Sequence, residues 1–342
     1  MRARIKKSLF SAQTACSAVL TLLLCINASA QGTWDKEFAK AKEMITSEWL
    51  EREISFLSDS ICNGRATGTA GSIEAAMWIQ RRFEKAGLMK IGNSWTRSFP
   101  AMNGLRGRNV IGFLPGAKSI PRDKYIIVGA HFDHLGTLNG KMYPGADANA
   151  SGTAALTGLA EMFGAMRKMG KILGSNILFI AFDAKEHGLK GSEHIWSLLE
   201  RGSLRNPVSG QRITPEDITL MVNIDQIGSS LAPVRKNRKD YLIMLGTESL
   251  QKQDRNLLDI CNKAYGTGLD LSLDYYGSAN FTKVFYRLSD QKVFVDNKVP
   301  AVLFTSGITM NTNKTWDNTS GIDVDILKKR ICLMFHWIER ML

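Results

Sequence analysis

Histidine is scarce in this 342-residue sequence, which carries five, and none falls between His194 and His336. Any imidazole chemistry across that long gap must borrow its ring from elsewhere in the chain. Cysteine is equally thin. Cys16 and Cys25 fall in the first thirty residues, and the remaining three, Cys62, Cys261 and Cys332, cannot all pair. No zinc-type cysteine spacing occurs among them, so one disulfide or buried free thiols remain, with free thiols the plainer expectation. Internal repeats and low-complexity tracts are absent, which excludes solenoid and fibrous architectures. The densest basic cluster, Arg235, Lys236, Arg238 and Lys239, follows Pro233 without interleaved aromatics and reads as a solvated turn. A nucleic-acid partner is therefore not expected.

What is present is ordinary globular material, 44% apolar and 22% charged, enough for one large core. The N-terminus is different. Arg2, Arg4, Lys6 and Lys7 precede the apolar run 18–26, which ends in Ala28-Ser29-Ala30. That order predicts a secretory signal over residues 1–30, cleaved near Ala30, with the mature chain secreted or periplasmic. The run is too short to cross a bilayer of about 30 Å, and no second one follows, so no membrane span is expected in the mature chain. Leu24 before Cys25 speaks against a lipid-anchored variant. Cleavage takes four of the 44 basic residues and none of the 32 acidic ones, leaving a net charge of +8.

From residue 31 to 342 the pattern alternates. A helix is predicted from Ser72 to Leu88, capped by Ser72 and ended by Gly87. Strands are predicted at 109–113, 125–130, 176–182, 219–224, 241–245 and 301–304, with a helix over 150–166 and a closing helix from Asp323. Alternation of this kind implies a single α/β domain with a mostly parallel central sheet covered by helices on both faces. In such sheets, polar residues just past the carboxyl ends of strands converge on the ligand crevice. His131, Asp183 to Glu186, Asp225 and the segment after Thr305 hold those positions.

The motifs at these ends are specific. His131-Phe132-Asp133-His134-Leu135-Gly136 is followed by Gly145-Ala146-Asp147-Ala148-Asn149-Ala150-Ser151-Gly152, then Asp183-Ala184-Lys185-Glu186-His187-Gly188, then Asn223-Ile224-Asp225. Together with Gly64-Arg65-Ala66-Thr67-Gly68-Thr69, Gly107 to Gly112 and Phe304-Thr305-Ser306-Gly307, the series resembles the di-zinc aminopeptidase family of bacterial leucyl aminopeptidases and aminopeptidase Y. The resemblance runs from about residue 45 to the end. It implies a zinc-exopeptidase fold, peptide substrates or a protein N-terminal segment as partner, and a site in which paired metals clamp a tetrahedral intermediate while a carboxylate takes the proton of the attacking water.

Carried over position by position, the resemblance makes His131, Glu186 and Asp225 metal ligands, with Asp133 orienting His131 from behind. Three further positions depart from it. Ala148 stands where an Asp bridges the two metals, Lys185 where a Glu is the general base, and Asn313 where the last His ligand is expected. Asp147, one residue from the bridging place, is the candidate substitute. Ser289-Asp290-Gln291 replaces a Ser-Asp-His segment common in the family. Glu186, Asp225 and Lys185 leave a formal charge of −1 where two dications would need more, and the Lys185 ammonium is expected to pair with Glu186 or Asp225. The expected cofactor is thus zinc by resemblance, with at most one ion held. The expected function is an exported relative of these enzymes without ordinary di-zinc peptidase activity, a peptide-binding pseudoenzyme. The alternatives are an amide hydrolase working with one metal or a rearranged site, and cyclisation of N-terminal glutamine. His134 is expected to be a hydrogen-bonded structural residue, and His187 and His194 to lie at the surface.

Overall fold

The apolar runs become the middle of an eight-stranded sheet. A computed structural model of the chain describes residues 38–119 and 121–342, of which Met44–Leu342 form one compact unit. A separate unit, Met1–Glu43, is described only over 38–43, where it is helical. The predicted signal, residues 1–30, lies outside the described residues. Among the described residues no helix is long and apolar enough to cross a membrane.

The main helices are α1 (Ser47–Ser58), α2 (Ala70–Ala86), α3 (Gly152–Lys168), α4 (Lys190–Glu200), α5 (Leu257–Ala264), α6 (Ala279–Phe285), α7 (Gln291–Asp296) and α8 (Val324–Met341). The strands are β1 (Thr96–Pro100), β2 (Arg106–Leu114), β3 (Tyr125–His131), β4 (Gly136–Leu138), β5 (Lys141–Tyr143), β6 (Asn176–Phe182), β7 (Leu204–Arg205), β8 (Arg212–Ile213), β9 (Ile218–Ile224), β10 (Tyr241–Leu245), β11 (Asp270–Ser272) and β12 (Ala301–Thr305). The large sheet runs β1-β2-β6-β3-β9-β12-β10-β11, and β4-β5 and β7-β8 form two small hairpins. Its centre, β6-β3-β9-β12, is parallel throughout, while β1, β2 and β10 join antiparallel neighbours.

Every residue of β3 and β6 is buried, the signature of strands covered on both faces. The period of two sorts their side chains. Leu178, Ile180 and Phe182 share one cluster with Ile195 and Leu199 of α4 and Phe294 of α7. Phe179 points the other way, 6.3 Å from Phe83 of α2 and 6.3 Å from Phe163 of α3. Phe163 in turn meets Phe335 of α8 at 4.6 Å. Helices therefore cover both faces, as predicted.

Several boundaries shift, for local reasons. The Thr69 side chain, not Ser72, caps α2 by accepting the N–H of Ser72, so the helix starts two residues early. Gly87 ends it as expected, with φ 82° and its N–H on the Phe83 carbonyl. The helix predicted over 150–166 begins instead at Gly152, whose N–H is satisfied by Asn149 Oδ1 at 3.0 Å. Residues Ala146–Ser151 form a wider turn before it. Strand β2 is longer than the predicted 109–113 because its early residues pair with β1. Cys62 and Cys261 are buried free thiols, and Cys332 is buried as well.

Candidate functional site

Because β6, β3, β9 and β12 are parallel, their carboxyl ends lie along one edge of the sheet. His131 ends β3, Asp183 to Glu186 follow β6, Asp225 follows β9, and Ser306 to Asn313 follow β12. Two buried guanidinium groups hold these loops. Arg65 donates to the carbonyls of Leu57, Phe132, Pro144 and Gly145. Arg330 donates to those of Tyr241, Ile227 and Ser229. Gly145 must be glycine, since a Cβ there would meet Ala148 O at 2.5 Å and His134 Cδ2 at 2.5 Å.

Both ring nitrogens of His131 are engaged. Nδ1 lies 3.1 Å from Asp133 O and 3.5 Å from Asp133 Oδ1, and Nε2 lies 3.3 Å from Asp225 Oδ1. Asp133 has a second task. Its Oδ1 and Oδ2 accept the backbone N–H groups of Lys185 and Glu186, each at 3.0 Å, and so fix the turn that carries those side chains. Burial pushes the Asp133 carboxyl up, but the hydrogen bond and charge of His131, with the two backbone donors, hold it below its ordinary value.

Lys185 turns its ammonium into the acidic centre, 3.0 Å from Glu186 Oε1 and 3.7 Å from Asp225 Oδ2. Burial presses its pKa down, yet Asp225 and Glu186 outweigh burial and raise it above the usual lysine range. The two carboxylates thus favour the charged form of Lys185. For Asp225, burial is overcome by Lys185 and His131, which keep the carboxyl well below the usual range. Burial and Lys185 lower His131, but Asp225 and Asp133 prevail, and the imidazole rises to about 10.

Lys185, Glu186 and Asp225 line a pocket of about 600 Å³, with His131 and Asp133 behind them. Ala148, Lys185, Glu186, Asp225 and Asn313 all line it, so the structure brings together the retained and the replaced positions read from the sequence. Ala148 contributes a methyl group, and its N–H donates to Asp317 Oδ2 at 3.1 Å. Asn313 is exposed, on a residue with φ 59°. The possibility that Asp147 substitutes for the bridging carboxylate is corrected. Its Oδ1 accepts the N–H groups of Gly228 at 2.8 Å and Ser229 at 3.1 Å, on the far side of the turn and outside the pocket lining. Burial, aided by the Asp317 charge, lifts Asp147 to about 7.

His134 is corrected too. It is buried, but neither ring nitrogen has a hydrogen-bond partner among the described residues, and burial with the Arg65 charge pushes its pKa well below the ordinary value. It packs against Gly145 rather than bonding. His187 and His194 are half-buried outside the site, His194 stacked on Phe99 at 5.0 Å. Gln291 takes over a structural place: its Oε1 accepts Asn223 Nδ2 at 2.7 Å and its Nε2 donates to Tyr286 O.

Sequence reasoning missed the pocket wall, which Tyr275, Phe285, Leu288, Val293, Leu303 and Ile308 build. Apart from Leu303 on β12, these residues come from loops and short helices with no clear periodicity, so only the assembled fold reveals them. It also passed over Gln226, which directly follows Asp225 and ties Gly307 and Thr312 to the site.

A two-zinc donor set does not fit here. Ala148 offers no oxygen to bridge with, Lys185 places a cation between the two remaining carboxylates, and among the described residues no three His, Cys, Asp or Glu side chains are grouped to hold a metal. The surroundings nonetheless have clear relatives. Residues 109–334 match Peptidase family M28. The uncharacterized protein YfbL of Escherichia coli K12 is 22% identical over 288 residues, 80% of each chain. Among solved structures, the fold is similar to LapA of Legionella pneumophila, with a TM-score of 0.66, 18% identity and coverage of 90% of this chain and 76% of that one. It is also similar to BSAP, a zinc aminopeptidase from Bacillus subtilis, at 0.64 and 14%, covering 86% and 95%. A glutaminyl cyclase of Porphyromonas gingivalis matches at 0.60 and 18%, covering 87% and 99%. At these identities the structural likeness establishes the fold alone. With the family match spanning well over half of its length, the chain belongs to Peptidase family M28, a metallopeptidase family, and has an aminopeptidase-like fold.

Proposed function

We propose that this chain is an exported pseudoenzyme of Peptidase family M28 that binds peptide segments without hydrolysing them. One observation carries the proposal: the Lys185 ammonium lies 3.0 Å from Glu186 and 3.7 Å from Asp225, in the charge gap that a metal ion would otherwise fill. An ammonium paired in this way neutralises carboxylates that would gather dications, and it supplies neither a base nor a Lewis acid. Ala148 and Asn313 remove a bridging oxygen and an imidazole from the same pocket. Asp147 Oδ1 accepts the N–H groups of Gly228 and Ser229, and the residue lies outside the pocket lining, which weakens the case for a rearranged hydrolase. Glutamine cyclisation finds no support either, because the Asp and His it would use correspond to Ala148 and Asn313.

Export rests on the N-terminal charge-apolar-small pattern, and N-terminal sequencing of the expressed protein should find a mature chain starting at Gln31. Elemental analysis of the purified protein, with aminoacyl-nitroanilide assays in added Zn²⁺, Co²⁺ or Mn²⁺, tests the rest. Two tightly bound zinc ions per chain, or chelator-sensitive turnover abolished by Asp225→Ala, would overturn the pseudoenzyme.

A further inference from the structure

We infer that the pocket recognises a carboxylate borne on an apolar residue, such as a peptide C-terminus, with Lys185 as the recognising cation. This rests on the reading of the pocket as non-catalytic and reverses the end of the peptide expected from the sequence. The geometry at Lys185 supplies the reason. An ammonium has three N–H donors. At Lys185 one is taken by Glu186 Oε1 at 3.0 Å, while Asp225 Oδ2 at 3.7 Å is near enough for charge but beyond hydrogen-bond reach. Donors therefore remain open on a side chain that lines the pocket and is 19% exposed.

The acidic groups are the opposite case. Asp225 Oδ1 is engaged by His131 Nε2 at 3.3 Å, its Oδ2 faces Lys185, and Glu186 Oε1 holds the ammonium. A peptide N-terminus entering here brings a second ammonium against the first, where three of the four carboxylate oxygens of Asp225 and Glu186 already face His131 or Lys185. A carboxylate meets open donors instead, and such charge-assisted bonds are among the stronger ones.

Of the other charges on the wall, two cations share a single carboxylate and one carboxylate has a lysine of its own. Arg287 and Lys292 both bind Asp296, at 2.6 Å and 2.7 Å, and Glu193 binds Lys190 at 2.7 Å. Lys185, 19% exposed against 47% for Arg287 and 38% for Lys292, is the most sheltered of these cations and the polar anchor. Around it Tyr275, Phe285, Leu288, Val293, Leu303 and Ile308 offer an apolar wall, with Tyr275 and Phe285 stacked at 3.8 Å. A pocket of about 600 Å³ is of the size that small ligands use. Its exposed neighbours, Leu288 and Ile308, extend the apolar surface to the rim.

The test titrates the mature wild-type chain by calorimetry with three ligands that share one side chain: N-acetyl-leucine, N-acetyl-leucinamide and leucinamide. They present a carboxylate, no charge and an ammonium in turn. The carboxylate is expected to bind at least about tenfold more tightly than either other form. A tetrapeptide ending in a free Leu carboxylate, compared with its C-terminal amide, separates a peptide end from a free acylated amino acid: preference for the acid form in both pairs supports the inference for peptides. Leucinamide binding as tightly as the carboxylate, equal affinity of the tetrapeptide pair, or no binding of any ligand at millimolar concentration overturns it. Lys185→Gln should lose the preference while binding N-acetyl-leucinamide as before, and the wild-type ranking stands even if that variant does not fold. Leucyl-nitroanilide turnover is read in the same samples. Turnover would remove the non-catalytic reading and leave the ligand ranking to be judged separately.

Discussion

Arg65 Nε donates to the carbonyl oxygen of Phe132 at 2.7 Å, joining a fully buried guanidinium to the residue just past His131. The same fork reaches Leu57, Pro144 and Gly145, so one side chain sets the end of α1, the end of β3 and the entry to the Ala146–Ser151 turn. Arg65→Met should leave several buried carbonyls unsatisfied and cost on the order of 3 kcal/mol or more in urea unfolding. Arg65→Lys should rescue little, because a single ammonium cannot reproduce the planar fork. Wild-type stability in either variant would show that water replaces the clamp at no cost.

The buried Asp147 carboxyl predicts a pH effect of unusual sign. Its folded pKa, about 7, lies above the ordinary carboxylate value of 3.8, so the native state holds the proton longer than the unfolded chain. Stability linked to this group is full below the unfolded value and is lost as pH rises toward the folded one. Asp147→Asn keeps an oxygen for the Gly228 and Ser229 donors and cannot ionise. The melting temperature of the variant relative to wild type should therefore rise between about pH 4.5 and about pH 7.5. A difference that stays flat across that range would show that Asp147 titrates normally.

Most of the architecture was legible because burial on both faces demands continuous apolar strands. The runs at 176–182 and 241–245 became β6 and β10 without shift, and the residues past the strand ends converged as the parallel topology requires. The replaced positions were legible as well, since Ala148, Lys185 and Asn313 stand out against a motif of known spacing. Directions were not. Whether Asp147 faced the pocket depended on which backbone donors it met, and nothing in the sequence marks Gly228 and Ser229 as those donors. His134 likewise looked like a bonded residue because its type is polar, yet its surroundings are Gly145 and the charged Arg65.

The start of α2 shows how small the deciding feature can be. Two hydroxyl residues compete for the cap, and Thr69 holds it, with its oxygen accepting the Ser72 N–H at 3.2 Å. Thr69→Ala should cost about 1 kcal/mol by chemical denaturation. Ser72 Oγ is buried and makes no hydrogen bond among the described residues, so Ser72→Ala should be neutral or slightly stabilising. The reverse ranking would mean that the cap lies where the sequence alone placed it.

If the ion pair at Lys185 and the side chains at 148 and 313 are what keep metal out, restoring the missing donors should bring it back. Ala148→Asp adds an oxygen at a residue that already lines the pocket, Lys185→Glu removes the competing cation, and Asn313→His supplies the absent imidazole. His131, Glu186 and Asp225 are in place around them, with Asp133 holding the turn of Lys185 and Glu186. Zn²⁺ should then raise the melting temperature of the triple variant by several degrees, reversibly with a chelator, because an ion that binds only the folded state stabilises it by mass action. Lys185→Glu alone should respond less, since the bridging oxygen and the imidazole are still missing. An equal zinc response from the wild-type chain would mean that the ammonium gives way to metal, and the charge argument for a pocket without catalysis would fail with it.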